Sequence, residues 1–419
     1  MHFSIEFGRI PIFALCFIGA SILLDVNSID AQRTFLDKFI NEYRSLRGGL
    51  FKFIGPTDTD SSYYWNLKRQ KVQKPFPKSA QFPCDVKSGR SKTVPTSVHK
   101  LRPGDIDVIS AMGDSLTAGN GALATNILQV FIENKGVSWS IGGRSRWQKF
   151  LTLPNILREF NPQLYGFSES DGFSIDKGAK FNVAEIGAMS RDIPYAAKVL
   201  VKRMRSDPNV DIENHWKMVT ILIGPNDFCL DLCYQASPEK SIEKNRLELI
   251  ETLRILRDNL PRTIVNLVTP PSMKVIYYLN GKPRECISTH HFECPCIFSF
   301  KFEHQRQRYF KIMEQWQIIT TEIPELNEFN DKQDFAVVNQ PFLRNVRFPR
   351  LPNGNNDFTY MSVDCFHLSQ KGYAIAANGL WNNIMEPYGN KSTNWKKEFS
   401  DFKCPTDSRP YISTKGNSS

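Results

Sequence analysis

The chain has 419 residues, of which 41% are hydrophobic and 23% are charged, and its formal net charge is +10. This composition excludes a disordered or fibrous protein, and the length suits one large domain with extensions. No nucleic-acid motif or alternating aromatic stripe accompanies the positive charge, so nucleic acid is not an expected partner.

The N-terminus is typical of a secretory signal peptide. Arg9 precedes an apolar run from Ile10 to Leu24, which is shorter than a membrane span. Cleavage is expected near Ala31, so residues 1–31 are the predicted signal peptide and the mature protein is expected outside the cell. A retained N-terminal anchor is the alternative.

Residues 32–100 are predicted to be an irregular N-terminal extension, with one amphipathic helix at Gln32–Arg47. Many of the cations of the chain fall between Lys68 and Arg102. We interpret them as a solvated basic segment; attraction to an anionic lipid surface is the alternative.

From Asp105 onward, short apolar runs alternate with helical patterns, as expected for strands that are covered on both faces. Five strands are predicted, at Asp105–Met112, Phe181–Ile186, Met218–Ile223, Thr263–Val268 and Phe335–Val338. Helices are predicted at Asp192–Arg205, Ser241–Leu260, Phe302–Thr320 and Ser369–Met385. This alternation predicts an α/β fold with a mostly parallel five-stranded sheet and helices on both faces.

Cysteines are numerous outside the predicted signal peptide. The even number of eight in an exported chain predicts disulfides, but their pairing does not follow from the sequence. They are Cys84, Cys229, Cys233, Cys286, Cys294, Cys296, Cys365 and Cys404. Cys229 and Cys233 are close enough along the chain to form a local pair.

The segment Asn280–Pro295 lacks periodicity and is predicted to be a long loop. A metal cluster of histidines and cysteines is an alternative reading of this region, with His290, His291, Cys294 and Cys296 as its members. Oxidised cysteines are the expected state of an exported chain, so no metal site is predicted.

A candidate nucleophile follows the first predicted strand. The run Val108–Gly119 changes from apolar residues to a Gly113-Asp114-Ser115 turn. A buried strand that ends in a tight turn places such a serine at the carboxyl edge of a parallel sheet, where open α/β folds carry their chemistry. Ser115 alone could equally be part of a surface turn, so the prediction depends on a base, an acid and an oxyanion site elsewhere.

A candidate base precedes the last predicted helix. Asp364 lies three residues before His367, close enough for its carboxylate to hydrogen-bond Nδ1 and to favour the imidazolium that forms during attack. A helix-capping aspartate beside a surface histidine is the alternative.

Two further turns follow predicted strands and offer hydrogen-bond donors. Asn226 comes after the most strongly β-branched strand, where its amide could face a developing oxyanion. Gly187 follows the second predicted strand, where a glycine lets a main-chain N–H approach a ligand closely.

These four groups, in the order Ser, Gly, Asn and Asp-His, resemble the SGNH (GDSL) hydrolase family. The resemblance covers roughly residues 94–389. Four other segments resemble the phospholipase B branch of that family: Pro95–Pro103, Ser138–Gly143, Leu153–Leu157 and Leu380–Asn383. One position departs from the branch, which usually has a second glycine where this chain has Pro225; the proline removes an N–H group and restricts φ.

The resemblance implies a flavodoxin-like three-layer αβα fold, no metal and no organic cofactor. It implies that Ser115 is the nucleophile, that His367 is the general base and then the acid, and that Asp364 orients His367. The implied oxyanion hole consists of the Ser115 N–H, the Gly187 N–H and the Asn226 side chain. Asp114 and Asp227 are implied to hold their turns in place.

The expected function is that of a secreted serine hydrolase that cleaves fatty-acyl esters of phospholipids or lysophospholipids at a lipid surface, where peripheral contact with the membrane is possible. Hydrolysis of other lipid or acetyl esters is one alternative, and non-catalytic lipid binding is another. Membrane-associated members of the branch carry several repeats and a C-terminal anchor, whereas one unit without an anchor is expected here, which favours a secreted form.

The predicted organisation therefore has a hydrolase domain at residues 101–395 and a polar tail at residues 396–419. Asn390 and Asn417 begin sequons and are the predicted glycosylation sites. Trp139 and Trp147 are expected to fill the core; lining an acyl pocket is the alternative.

Overall fold

The computed structural model describes residues 45, 48–49 and 52–418. The predicted signal peptide lies outside the described residues, and so does the predicted helix at Gln32–Arg47 except for Ser45. Within the described part of the chain, no helix has the length and apolar character needed to span a bilayer.

Four parallel strands form the central sheet, in the spatial order of the chain. They are β1 (Val108–Gly113), β2 (Lys217–Leu222), β3 (Thr263–Val268) and β4 (Phe335–Gln340). Every residue of the four strands is buried, because helices cover both faces of the sheet. The α/β prediction with a parallel sheet is thereby confirmed.

The number of regular strands in the described residues is four, and the predicted strand at Phe181–Ile186 is wrong. This segment does follow the free edge of β1, where the Val183 N–H donates to the Ala111 carbonyl at 3.0 Å. Tyr165 bridges to Val108 on the same edge. Because two separate segments share the edge of β1, neither of them forms a continuous ladder of hydrogen bonds.

At least one helix lies between each pair of consecutive strands along the chain. Their bounds are α1 (Asp60–Lys68), α2 (Ser115–Ala118), α3 (Leu153–Phe160), α4 (Ile193–Ser206), α5 (Lys240–Asn259), α6 (Lys274–Tyr277), α7 (Arg284–Glu293), α8 (Pro295–Phe298), α9 (Arg306–Glu322) and α10 (Gln370–Met385). The 3₁₀ turns are Val98–Lys100, Pro103–Asp105, Ile127–Phe131, Lys135–Val137, Lys177–Ala179, Ser190–Asp192, Leu232–Tyr234, Phe300–Gln305, Ile323–Glu325, Asn327–Phe329, Phe358–Tyr360 and Lys415–Asn417, and Asp227–Asp231 forms a π-helical turn.

The sheet separates two apolar cores, because successive side chains of a strand point to opposite faces. The core on the first face contains strand residues packed with α3 and α10, including Ile109, Met218, Ile264 and Ala336. The core on the second face contains strand residues packed with α4 and α5, including Val108, Val219, Val265 and Val337. Trp139 and Trp147 are buried in the first core, as expected for core-filling residues.

The predicted loop at Asn280–Pro295 is wrong, since most of it forms the helix α7. Only Cys286 and His290 are buried on this helix, so it lacks the broad apolar stripe by which helices are recognised in a sequence. Disulfides at Cys286 and Cys294 attach it to the rest of the domain instead.

All eight cysteines outside the predicted signal peptide form disulfides. The pairs are Cys84–Cys404, Cys229–Cys294, Cys233–Cys296 and Cys286–Cys365. The suggested local pair of Cys229 and Cys233 is therefore wrong. The two residues lie one helical turn apart, and each bonds to the neighbouring segment that carries Cys294 and Cys296 rather than to the other.

The N-terminal extension is irregular after α1, and it contacts the rest of the domain through polar side chains. Gln73 accepts a hydrogen bond from the Leu151 N–H, and its own N–H donates to the side chain of Gln370, the first residue of α10. Lys71 donates to the main-chain carbonyls of Met361 and Phe358. This part of the extension therefore packs against the segment that leads to Asp364.

Candidate active site

The turn that carries Ser115 depends on a close contact between β1 and β2. Gly113 ends β1 with a φ of +150°, and a Cβ placed there would lie only 2.2 Å from the Leu222 carbonyl oxygen. Asp114 then caps α2, since its Oδ1 accepts the Leu116 N–H at 2.9 Å. These constraints place Ser115 in the first turn of a short helix, at the carboxyl end of β1.

His367 belongs to a compact loop immediately before α10. Asp364 Oδ1 accepts the main-chain N–H of His367 at 3.1 Å, and the Ser362 N–H donates to the His367 carbonyl at 2.8 Å. Ser369 caps α10 by accepting the Gly372 N–H. The loop is therefore held by its own hydrogen bonds.

The two loops meet in a continuous hydrogen-bonded chain of three side chains. His367 Nε2 lies 2.9 Å from Ser115 Oγ, and His367 Nδ1 lies 2.6 Å from Asp364 Oδ2. All three side chains are buried, and Asp364 is fully so. With the Nδ1 proton held by Asp364, the Nε2 lone pair faces the serine hydroxyl, so the imidazole can accept its proton.

The turns that contain Gly187 and Asn226 are in direct contact. Asn226 Nδ2 donates to the Ala188 carbonyl at 2.9 Å, which leaves its second amide N–H for another acceptor. Gly187 has a φ of +77°, a conformation that favours glycine. Pro225 occupies the first helical position after β2. A main-chain N–H at that position has no acceptor within the helix, so its absence in proline costs no hydrogen bond.

Asp114 and Asp227 are both buried. Burial raises the pKa of Asp114 to about 7, although the Leu116 N–H opposes this shift. Burial likewise raises the pKa of Asp227 to about 7, against hydrogen bonds from the main-chain N–H and the hydroxyl of Ser190. Asp227 thus links the π-helical turn after β2 to the segment that follows Gly187.

Two ionisable groups beside Asp364 were not predicted from the sequence. Lys71 reaches the site from the N-terminal extension, and burial lowers its pKa to about 8. Glu293, the last residue of α7, has a carboxyl oxygen within 4.8 Å of a carboxylate oxygen of Asp364. In the sequence, Lys71 is one of many cations and Glu293 is one acid in an aperiodic segment. No sequence pattern therefore indicated that either residue lies near Asp364.

The alternative metal cluster in the 290–296 region is contradicted by the disulfides. Cys294 and Cys296 are bonded to Cys229 and Cys233, so their sulfurs are not available as thiolate ligands. His290 instead donates through Nε2 to the Cys365 carbonyl at 2.9 Å.

The described residues contain one group of side chains whose spacing could suit a metal ion. It consists of Glu293, Asp364 and His367, each of which has a carboxylate oxygen or an imidazole nitrogen within 4.8 Å of those of the other two. His367 Nδ1 and Asp364 Oδ2 are already bonded to each other in this group. A cation there would displace that hydrogen bond, and the contact is better described as part of the hydrogen-bonded chain that ends at Ser115.

Known proteins are similar to most of this chain. The family described as GDSL-like Lipase/Acylhydrolase matches residues 109–380. Three relatives carry the name "Phospholipase B1, membrane-associated": the mouse protein is 38% identical over 342 residues, the human protein 39% over 331 and the rat protein 37% over 342. The matches cover 81%, 78% and 81% of this chain, but only 23%, 22% and 23% of the relatives, so the chain spans less than a quarter of their length.

Proposed function

Because this chain belongs to the GDSL-like lipase/acylhydrolase family, we propose that it hydrolyses fatty-acyl esters of phospholipids and lysophospholipids through an acyl-enzyme at Ser115. The observation that carries the proposal is the hydrogen-bonded chain from Ser115 Oγ through His367 to Asp364. The phospholipid substrate is supported by the names of the three relatives.

In the acylation step, Ser115 Oγ attacks the ester carbonyl carbon while His367 Nε2 accepts the hydroxyl proton. Asp364 stabilises the imidazolium that forms. The tetrahedral intermediate then collapses, and the carbon–oxygen bond to the glycerol backbone breaks. His367 donates its proton to the departing alkoxide oxygen, so the alcohol leaves neutral and the acyl group remains on Ser115.

Deacylation repeats the sequence with water as the nucleophile. His367 accepts a proton from the water, whose oxygen attacks the acyl carbon, and the bond to Ser115 Oγ breaks as that oxygen regains a proton from His367. The released fatty acid ionises at neutral pH. The residues of the chain supply every proton transfer in both steps.

Three donors are assigned to the negative oxygen of the tetrahedral intermediates. Ser115 is the first residue of α2, so its N–H has no acceptor within the helix. The Gly187 N–H and the second amide N–H of Asn226 are the other two. The Asn226–Ala188 hydrogen bond supports this assignment because it fixes the amide before substrate binds.

Contact with a lipid surface is assigned to the turn at Ile127–Phe131. Ile127, Leu128 and Phe131 each expose more than 40% of their surface, although all three are large and apolar. The turn is linked to the segment that follows α2, since Asn120 Nδ2 donates to the Val130 carbonyl at 3.1 Å. Exposed apolar side chains beside a lipase site can enter the acyl region of a lipid surface.

An extracellular location is also part of the proposal. It is supported by four disulfides, which form and persist in oxidising compartments. The apolar N-terminal run before Ala31 supports secretion through a signal peptide.

A substrate panel tests the proposal. The unmodified protein, Ser115→Ala and Ser288→Ala would be assayed on phosphatidylcholine micelles, lysophosphatidylcholine and acetylated sugars. Ser288 is an exposed serine of α7 and is the matched control. We expect the unmodified protein and Ser288→Ala to release fatty acid from both lipids, and Ser115→Ala to lose more than about 10³-fold in rate.

Full activity in Ser115→Ala would exclude the acyl-enzyme mechanism. Hydrolysis confined to acetylated sugars would exclude the phospholipid substrate while retaining the mechanism. A fluorophosphonate probe that labels the unmodified protein at Ser115 supports a serine hydrolase, whereas no labelling would favour non-catalytic lipid binding.

A further inference from the structure

The helix α7 is attached directly to the loop that carries the catalytic acid and base. Cys286 is disulfide-bonded to Cys365. Thr289 Oγ1 donates to the Asp364 carbonyl at 2.7 Å, and His290 Nε2 donates to the Cys365 carbonyl at 2.9 Å. Three successive attachments therefore set the position of this helix relative to Asp364.

Glu293 follows these attachments at the end of the same helix. One of its carboxyl oxygens lies within 4.8 Å of a carboxylate oxygen of Asp364, and the two groups can form a hydrogen bond when one of them is protonated. Glu293 Oε2 is inaccessible to solvent, and among the described residues no N–H or O–H group donates to it. A buried negative charge that accepts no hydrogen bond is unfavourable, so the surroundings of Glu293 Oε2 favour the protonated, neutral form of this side chain.

The hydrogen bonds of Asp364 show which of the two groups carries the proton. Asp364 accepts the N–H groups of Phe366 and His367 at Oδ1 and the Nδ1–H of His367 at Oδ2, so it is supported as a carboxylate. Two carboxyl groups in hydrogen-bond contact need one proton between them. Burial and the charge of Asp364 raise the pKa of Glu293 well above its usual range, in agreement with this placement.

We propose that Glu293 is a positioning residue whose protonated carboxyl group donates a hydrogen bond to Asp364 and holds that carboxylate in line with His367. The bond also withdraws negative charge from Asp364 and so weakens the attraction of that carboxylate for the protonated form of the imidazole. This inference rests on the proposed function, because it assigns Asp364 and His367 to the proton transfers of ester hydrolysis.

Other titratable groups face Asp364 and His367, and their own titrations limit the pH range in which activity reports on Glu293. They are Lys71 from the N-terminal extension, Asp114 from the Ser115 turn, His290 from α7 and Tyr373 from α10. Burial lowers the pKa of Lys71 to about 8, so alkaline changes in activity do not report on Glu293 alone. Asp114, whose pKa is about 7, titrates in the acidic limb as well. The informative quantity is therefore the difference in that limb between variants in which all of these neighbours are unchanged.

Two variants of similar side-chain length separate the hydrogen bond from packing. Glu293→Gln keeps a neutral donor that can reach Asp364, whereas Glu293→Met fills the space without a donor. We expect Glu293→Gln to stay within about threefold of the unmodified rate and Glu293→Met to lose about tenfold at pH 7. In Glu293→Met the acidic limb should move up by about 0.5–1 pH unit, since the more basic Asp364 retains the proton on His367.

The same shift should appear without any substrate. NMR titration of the His367 ring protons should give a higher midpoint in Glu293→Met than in the unmodified protein or Glu293→Gln. The rate of Ser115 labelling by a fluorophosphonate should follow the same order. Neither measurement requires hydrolysis of a phospholipid. A wrong substrate assignment can therefore be distinguished from a wrong assignment of Glu293.

The inference is overturned if folded Glu293→Gln loses as much activity as Glu293→Met, or if neither variant moves the His367 midpoint. It is also overturned if Glu293→Gln alone moves the acidic limb, because the glutamate would then act as an anion. If Glu293→Met does not fold, Glu293→Gln decides: a preserved rate with a preserved acidic limb supports the donor, and a lowered rate in a folded protein excludes it.

Discussion

The side-chain amide of Asn226 donates to the main-chain carbonyl of Ala188 at 2.9 Å, which fixes the turn after β2 to the turn that contains Gly187. A donor that is oriented before substrate binds stabilises the transition state more than the ground state. We therefore expect Asn226→Ala to lower kcat by about 10²–10³ with a much smaller change in KM.

Steady-state kinetics on a soluble ester would measure both constants, with Asn345→Ala as the control. Asn345 is exposed, and its amide donates to the hydroxyl of Thr393, a residue without a proposed role in catalysis. A raised KM with kcat preserved would assign Asn226 to substrate binding instead.

The disulfide between Cys286 and Cys365 is expected to matter for catalysis as well as for stability, because Cys365 lies between Asp364 and His367. Cys365 has a φ of +58°, an unfavourable backbone conformation for a residue with a side chain. Replacement of both cysteines by alanine should lower kcat at least tenfold and lower the free energy of unfolding by about 2–5 kcal/mol.

The matched control removes Cys84 and Cys404, which bond to each other outside the catalytic loops. This pair should show a similar or larger loss in urea-denaturation experiments but near-normal kcat at a temperature where the protein is folded. Equal kcat losses in both double variants would mean that the Cys286–Cys365 bond acts only through global stability.

Asp227 gives a predicted pH dependence of stability. Its pKa is about 7 in the folded chain because of burial, against 3.8 for the ordinary side chain. Between these values the folded state binds more protons than the unfolded state, so this group lowers the free energy of unfolding as the pH rises from about 4 to about 7. The substituted side chain in Asp227→Asn is uncharged at every pH, so the variant does not show this decrease in the free energy of unfolding.

The stability of Asp227→Asn relative to the unmodified protein should therefore increase by about 1–3 kcal/mol between pH 5 and pH 8. Urea denaturation at the two pH values measures it, and the exposed Asp258→Asn should show no such trend. A difference that is independent of pH would contradict the buried-carboxyl explanation.

Of the two sequons, Asn390 is the better acceptor for a glycan. Asn390 is exposed. Asn417 Nδ2 donates to the carbonyls of His99 and Ile412, both at 2.8 Å, so a sugar on this nitrogen would disrupt contacts of the folded chain. In protein expressed through the secretory pathway, Asn390→Gln should abolish the mass change on glycosidase treatment, whereas Asn417→Gln should leave it intact; the reverse pattern would refute this ranking.

Prediction from the sequence worked where the relevant information is local. Thr263–Val268 is a strand with the predicted bounds, because a continuous apolar run and the following prolines mark both its nature and its end. Asp364 and His367 are three residues apart, so their hydrogen bond could be expected from the chain itself. The pairing of that loop with Ser115 required the joint pattern of four motifs.

Features that depend on distant contacts were missed. Phe181–Ile186 has the composition of a strand, but the competition of Tyr165 for the same edge of β1 is not visible in the sequence. Glu293 reaches Asp364 across 71 positions of chain, and this contact depends on the helix α7 and its disulfides. Neither the helix nor the cysteine pairing has a local signature.

The Cys84–Cys404 bond links residues 320 positions apart and encloses the other three disulfides within its span. During synthesis, Cys84 emerges from the ribosome long before its partner exists. Until then Cys84 can only be a free thiol or part of a non-native disulfide, for example with Cys229 or Cys233. This bond should accordingly close only after the cysteines of the other three pairs have been synthesised, and its formation should depend on the disulfide-exchange capacity of the compartment that receives the chain.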